Sequence, residues 1–354
     1  MTVHVVTDSS SCIPSEVAEE ISTLTVMDLY VSGQGAERTT AGLGALELTA
    51  MYARLLERGG DEGVVAIHMS KELSATWSNA VSAAGIFEGS VKIVDSNSVG
   101  MVMGMAAIQG AKAAEQGHNL EEVAAIIEQV LKRAKLWLYV HRLDTLRRSG
   151  RLSAGQTLLS TALAIKPILQ LSDGRLELAA KTRTKAKAMD KMVALIRDFV
   201  LEARDSNDSG ELRGGDPNDG AEARVENDMS VGDAGRGGSG EGVVGAGLES
   251  KAGSDELKNL RAGADHQSPN GHCGFEADGE CLDTTGRSSR RVHVVIHQIE
   301  AQNDAVNLQE RLRAAVAELP AENQIPVEVD VVEMSPVVAA HTGPGSIGLA
   351  AAVL

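Results

Sequence analysis

Short β-branched apolar runs alternate with segments of helical spacing from Val3 to Ala134, and this alternation narrows the choice of fold more than any other feature. Val3–Thr7, Val26–Val31, Val64–Met69 and Val91–Val94 read as strands. Ile13-Pro14-Ser15 opens a helix. Leu46–Glu57 puts Leu48, Met51, Tyr52, Leu55 and Leu56 on one side of another, and Thr76–Phe87 makes a third. Two more follow at about 99–116 and 120–134, the second announced by Asn119 with Glu122 three residues on, a capping arrangement. Such alternation predicts an α/β fold, a parallel sheet flanked by helices. Polar groups then gather at the carboxyl ends of the strands, here Asp8-Ser9, His68–Ser70 and Asp95-Ser96.

The second half reads differently. Leu136–Val140 is a strand and Ser153–Ala164 a helix. A hairpin runs from Ile165 through Ser172-Asp173-Gly174 to Leu176–Lys181, and Lys185–Glu202 is helical. Val292–His297, a helix at about 305–318 and Val327–Val332 complete an α+β pattern with a mixed or antiparallel sheet. Two domains are expected, 1–150 and 151–354. The second is interrupted at about 203–290, where Gly, Ser, Asp, Asn and Glu predominate. That composition cannot offset its ordering entropy, so the stretch is expected to be disordered. Loop-closure entropy grows only logarithmically with length, so one domain tolerates it.

Composition then removes several functions. A net charge of −16 and 2% aromatic residues disfavour phosphate backbones and base-stacking platforms, so no nucleic-acid partner is expected. No run of about 18 uncharged apolar residues offers a membrane span. Met1–Asp8 lacks a basic segment followed by a long apolar stretch, so a cytoplasmic protein is expected. The three cysteines cannot frame a disulfide scaffold, and Cys273 and Cys281 match no common zinc spacing, so no metal is expected. Gly343–Gly348 spells G-x-G-x-x-G but lacks the following βαβ unit, and Gly235–Gly240 repeats the spelling inside the Gly-rich stretch. No Gly-Lys-Ser/Thr occurs, so no nucleotide cofactor is expected.

The candidate chemistry lies in neutral hydroxyls and one histidine. Thr39-Thr40, Ser70, Ser74, Thr76 and Ser96 fall at or just beyond strand ends. Such hydroxyls cap helices, or converge as neutral donors on a carboxylate or phosphate. His341 stands between Ser335-Pro336-Val337-Val338 and Gly343-Pro344-Gly345, stiff backbone on both sides. His68, inside a strand, reads as structural. Arg147-Arg148-Ser149-Gly150-Arg151 concentrates basic charge where one half gives way to the other, a place for Arg151 to bind or steer an anion. A Ser74–His341–Asp95 hydrolase can also be written, without a G-x-S-x-G elbow to support it.

Six segments stand in a distinctive order: Thr7-Asp8-Ser9-Ser10, Ile67–Ser70 with Leu73–Thr76, Val94–Ser98, Leu146–Arg151, Ile165–Leu169 and His341–Gly345. In this order they resemble the DegV family. The resemblance covers the chain except the Gly-rich insertion, which is not typical of the family. It implies a two-domain DegV-like fold that holds one long-chain fatty acid and performs no chemistry itself, needing no cofactor beyond that ligand. It further implies a partner, the ATP-dependent subunit of fatty acid kinase, which makes acyl phosphate for phospholipid synthesis. By position, Ser74 and Thr40 would hydrogen-bond the carboxylate, His341 would lie near the head group and Arg151 near the pocket mouth. Thr40-Ala41-Gly42-Leu43-Gly44 stands where the family has Thr-Ser-Gln-Pro-Ser, and Leu73-Ser74-Ala75-Thr76 replaces Leu-Ser-Gly-Thr while keeping the hydroxyl. A serine-type hydrolase acting on a lipid ester is the alternative.

Overall fold

The first strands are β1 (His4–Asp8), β2 (Leu24–Met27), a short pair β3 (Tyr30–Ser32) and β4 (Thr39–Ala41), β5 (Val64–His68) and β6 (Val91–Asp95). In this computed structural model, which describes residues 2–33, 38–141, 143–152, 165–209, 274–275, 281–282, 290–320 and 325–354, four of them form one parallel sheet in the order β2-β1-β5-β6. Every residue of β1 and β5 is buried. Strands covered on both faces read as continuous apolar runs rather than alternating ones.

The run expected as one strand, Val26–Val31, is two. The chain leaves the sheet after Met27, and the Leu29 amide donates to Ser9 Oγ at 3.0 Å. The next residues pair antiparallel with β4, Val31 opposite Thr40. A single serine hydroxyl beside β1 thus ends one strand and starts a hairpin.

The first helices are α1 (Ser15–Glu20), α2 (Ala45–Gly59), α3 (Thr76–Ala84), α4 (Met101–Glu115) and α5 (Leu120–Lys132). Leu48, Tyr52 and Leu55 of α2 and Ala80 and Ala83 of α3 pack on one face of the parallel sheet. The α5 cap is the expected one: Asn119 Oδ1 accepts the Glu121 and Glu122 amides at 3.0 and 3.1 Å, and the Asn119 amide donates to Glu122 at 2.9 Å. Helix α4 is apolar nearly all round, because a second sheet covers its far side.

The remaining elements are β7 (Ala134–Tyr139), α6 (Asp144–Arg148), β8 (Lys166–Ser172), β9 (Arg175–Thr182), α7 (Lys185–Ser209), a ribbon of β10 (Gly274–Phe275) and β11 (Cys281–Leu282), β12 (Val292–Gln298), α8 (Gln302–Ala317), β13 (Val327–Glu333), α9 (Pro336–Thr342) and β14 (Ile347–Val353). The second sheet is mixed, ordered β13-β12-β14-β7-β8-β9, with only β12 and β13 parallel. Alternation sorts its side chains: Leu136 and Leu138 face α4 and α5, whereas Trp137 and Tyr139 face α7 and α8. The chain enters this sheet at Ala134, ahead of the expected boundary at 150. Both sheets belong to one compact unit, formed by Met1–Leu212 and Cys273–Leu354.

Strand β14 and helix α9 are among the elements absent from the sequence reading. Gly343–Gly348 looked like a phosphate-turn spelling, yet Ile347–Val353 is a fully buried central strand. Gly and Ala are poor strand formers, and only cover on both faces makes this segment extended. Pro336 at the first helical position opens α9. Helix α7 runs to Ser209, past the expected start of the insertion. Apart from that helix end, Arg290 and the β10–β11 ribbon, the stretch expected to be disordered, 203–290, lies outside the described residues, as does the expected helix 153–164.

Candidate functional site

A cavity opens between the two sheets. Its walls are apolar. Leu29, Met69 and Val99 come from the parallel-sheet side, Leu136, Leu138 and Leu176 from the mixed sheet, and Leu146, Val337 and Val338 from α6 and α9.

The wall is set by buried polar work beneath it. Asp8 Oδ2 lies 2.8 Å from His68 Nδ1, both fully buried. Asp8 Oδ1 accepts the Ser10 amide at 3.0 Å and also the Ser10 hydroxyl. His68 Nε2 lies 3.4 Å from the Tyr52 hydroxyl, whose pKa burial pushes well above its ordinary value, helped by the Asp8 charge. This chain fixes the Ser9–Ser11 turn, whose Ser9 hydroxyl holds Leu29, and Leu29 faces the cavity. His68 is therefore structural, as its strand position suggested.

One end of the cavity is polar. Thr40, on β4, and His341, in the last turn of α9, meet with Oγ1 and Nε2 2.8 Å apart across 301 positions of chain. Ser74, in the loop after β5, accepts the Thr76 amide at 3.2 Å and lies 3.0 Å from the Thr76 hydroxyl, a local cap for α3. The β4 chain continues past this pair at Gly42. A Cβ there would sit 2.6 Å from Thr76 Oγ1 and 3.4 Å from Ser74 Oγ, so only glycine permits the approach.

Arg151 adds a cation at the same cavity, its Nε donating to the Leu73 carbonyl at 3.3 Å. Burial, and then the nearby Arg151 charge, lowers the His341 pKa to about 4. The imidazole is thus neutral at pH 7, and Thr40, Ser74 and Thr76 are uncharged. Thr40, Ser74, His341 and Arg151, the four residues singled out in the sequence, all line this one cavity.

The hydrolase constellation is not assembled. Asp95 accepts the Asn97 amide at 2.9 Å and pairs with Lys71 at 3.5 Å, and it does not line the cavity. His341 Nε2 is engaged by Thr40, not Ser74. An aspartate at a strand end orients its own turn unless the fold brings a histidine to it.

Sequence reading missed His297. It lines the cavity, and its Nε2 accepts the Met101 amide at 2.8 Å, capping α4 with a neutral ring. Burial lowers its pKa to about 4. No local signal marks it, since its place depends on pairing with Gly348. Among the described residues, no three His, Cys, Asp or Glu side chains are grouped to hold a metal, and no helix is long and apolar enough to cross a membrane.

Fold and site together define an α/β protein with a largely apolar cavity that also carries neutral hydroxyls, neutral imidazoles and the Arg151 guanidinium. A family model described as an uncharacterised protein of the DegV family matches residues 34–212, and the chain belongs to that family. It is similar to a DegV domain-containing protein of Corynebacterium glutamicum, 51% identical over 196 residues, 55% of this chain and 71% of that one. A DegV domain-containing protein of Mycobacterium tuberculosis is 37% identical over 216 residues, 56% of this chain and 77% of that one. The crystal structure of the C. glutamicum DegV family protein Cg2579 superposes with a TM-score of 0.68 at 34% identity, covering 99% of this chain and 97% of that one. A DegV family protein from Thermus thermophilus, described as binding fatty acid, gives 0.67 at 21% identity with both chains covered to 100%.

Proposed function

We propose that this protein holds one long-chain fatty acid, with its hydrocarbon in the apolar cavity and its carboxylate at Thr40, Ser74 and His341. The observation that carries this is the pairing of an apolar wall with a polar end that contains donors but no acid. Fatty acid binding by structural neighbours such as the T. thermophilus protein supports the same reading.

The energetics favour it. Burying a methylene gains about 0.8 kcal/mol, so a chain of about sixteen carbons gains on the order of 13 kcal/mol before ordering costs. The carboxylate loses hydration, and hydroxyl donors replace it. A neutral His341 forms no salt bridge of its own with the anion. The oxygen thus stays nucleophilic toward the γ-phosphorus of ATP held by a separate fatty acid kinase subunit. Attack there releases ADP and yields acyl phosphate for phospholipid synthesis, with Arg151 at the mouth of the pocket. On this reading the protein is a non-catalytic cytoplasmic carrier.

Native mass spectrometry of protein purified from a bacterial host tests the ligand. Expected is one fatty acid per chain; protein that stays empty when offered palmitate refutes the reading.

A further inference from the structure

The β8–β9 hairpin reaches from the mixed sheet to the loop that carries Ser74. Its turn residues Asp173 and Gly174 have φ of 47° and 77°, the two-residue turn that suits strand twist. Gly174 is buried at the tip. Its carbonyl accepts the Ser70 hydroxyl at 2.8 Å, and any Cβ at this position would run into Ser70 Oγ. The next residue, Arg175, donates through Nε and Nη2 to one Glu72 oxygen at 2.9 and 2.7 Å. Arg151 and Leu152 complete the strap, the first on the Leu73 carbonyl at 3.3 Å and the second bridged to Leu176.

All three recipients, Ser70, Glu72 and Leu73, lie in the short loop that ends at Ser74. That loop is internally stiff. The Ser70 carbonyl accepts the Leu73 and Ser74 amides at 2.9 and 3.1 Å, and Ser70 Oγ accepts the Glu72 amide at 3.2 Å. A displacement of Ser70 is therefore passed to Ser74.

We propose that the tip of this hairpin, through Gly174 on Ser70 and Arg175 on Glu72, is a positioning element that sets where Ser74 sits and so how well the cavity takes a carboxylate. The proposal rests on the fatty acid reading above. It separates two roles within one cavity: the mixed sheet supplies apolar wall, and its hairpin also tunes a hydroxyl carried by the other sheet. The buried Gly174 contact carries most of the effect, since the Arg175–Glu72 pair is largely solvent-exposed and worth little alone.

The test compares palmitate with hexadecanol, which has the same tail but no carboxylate, on the purified full chain. Circular dichroism checks that each variant is folded. Gly174→Ala is expected to weaken palmitate by about tenfold or more, and hexadecanol by less than about threefold. Arg175→Ala is expected to act in the same sense by about twofold. A folded Gly174→Ala with wild-type palmitate affinity, or with equal losses for both ligands, overturns the proposal. If Gly174→Ala does not fold, Ser70→Ala decides, since it removes the bond to the Gly174 carbonyl without adding a Cβ to the turn. It is expected to weaken palmitate selectively, and a folded Ser70→Ala with wild-type palmitate affinity, or with equal losses for both ligands, overturns the proposal. Wild-type protein that binds neither ligand refutes the fatty acid reading itself, and this proposal with it.

Discussion

Two histidine clusters, built from nearly the same residue types, do opposite things. In the first, His68 faces a buried acid, Asp8, and the cluster is closed, each side-chain oxygen and nitrogen of Ser10, Asp8, His68 and Tyr52 leading to the next. In the second, His341 faces Thr40, with Ser74 and Thr76 nearby and no carboxylate among them. A histidine cluster with its own acid is complete and holds the fold. A cluster without one keeps donor capacity for an anion that arrives from outside.

The largest effect that would break this contrast is on stability. Asp8→Ala leaves His68 and Ser10 buried without their acceptor, and should cost about 3 kcal/mol or more in urea unfolding. A loss below about 1 kcal/mol would mean the first cluster is as dispensable to folding as the second. Thr40→Ala with Ser74→Ala should do the reverse. Stability should change by about 1 kcal/mol or less, while palmitate affinity falls by about tenfold to a hundredfold.

His297 sharpens the comparison, because it is buried and neutral yet uses its ring to cap a helix. Its pKa is lower in the folded protein, about 4, than in the unfolded chain, about 6.5. Its contribution to stability is therefore fully present above about pH 6.5 and lost as pH falls toward 4. His297→Gln should flatten the fall in unfolding free energy across that window by on the order of 2–3 kcal/mol. Smallest of all, deleting residues 213–272 should leave palmitate affinity within about twofold, since Thr40, Ser74, His341 and the apolar wall named above lie elsewhere in the chain.

Much of the parallel sheet was legible. Strands buried on both faces need uninterrupted apolar runs, and helices between them need one apolar side, so both periods are written in the residues. The α5 cap was legible for the same local reason: Asn119 and Glu122 satisfy amides three residues away. Strand β14 was not, because Gly348 and Ala350–Ala352 carry no intrinsic preference for extension and owe it to helices packed on either side. The split at Asp28 was missed because Ser9, which causes it, lies twenty positions earlier.

The same division holds for the site. Local order decided which side chains could take part: hydroxyls at strand ends, a histidine stiffened by Pro336 and Gly343, an arginine after a short basic helix. Each is legible because its cause lies within a few residues. Which of them meet was decided only by tertiary structure. Thr40 and His341 join across most of the chain, Asp95 is left with its own turn, and Ser70, at the start of the Ser74 loop, is held by a hairpin of the other sheet. Residue chemistry travels with the sequence, but proximity follows from how two sheets close over a shared helix layer, and no short-range pattern encodes that closure.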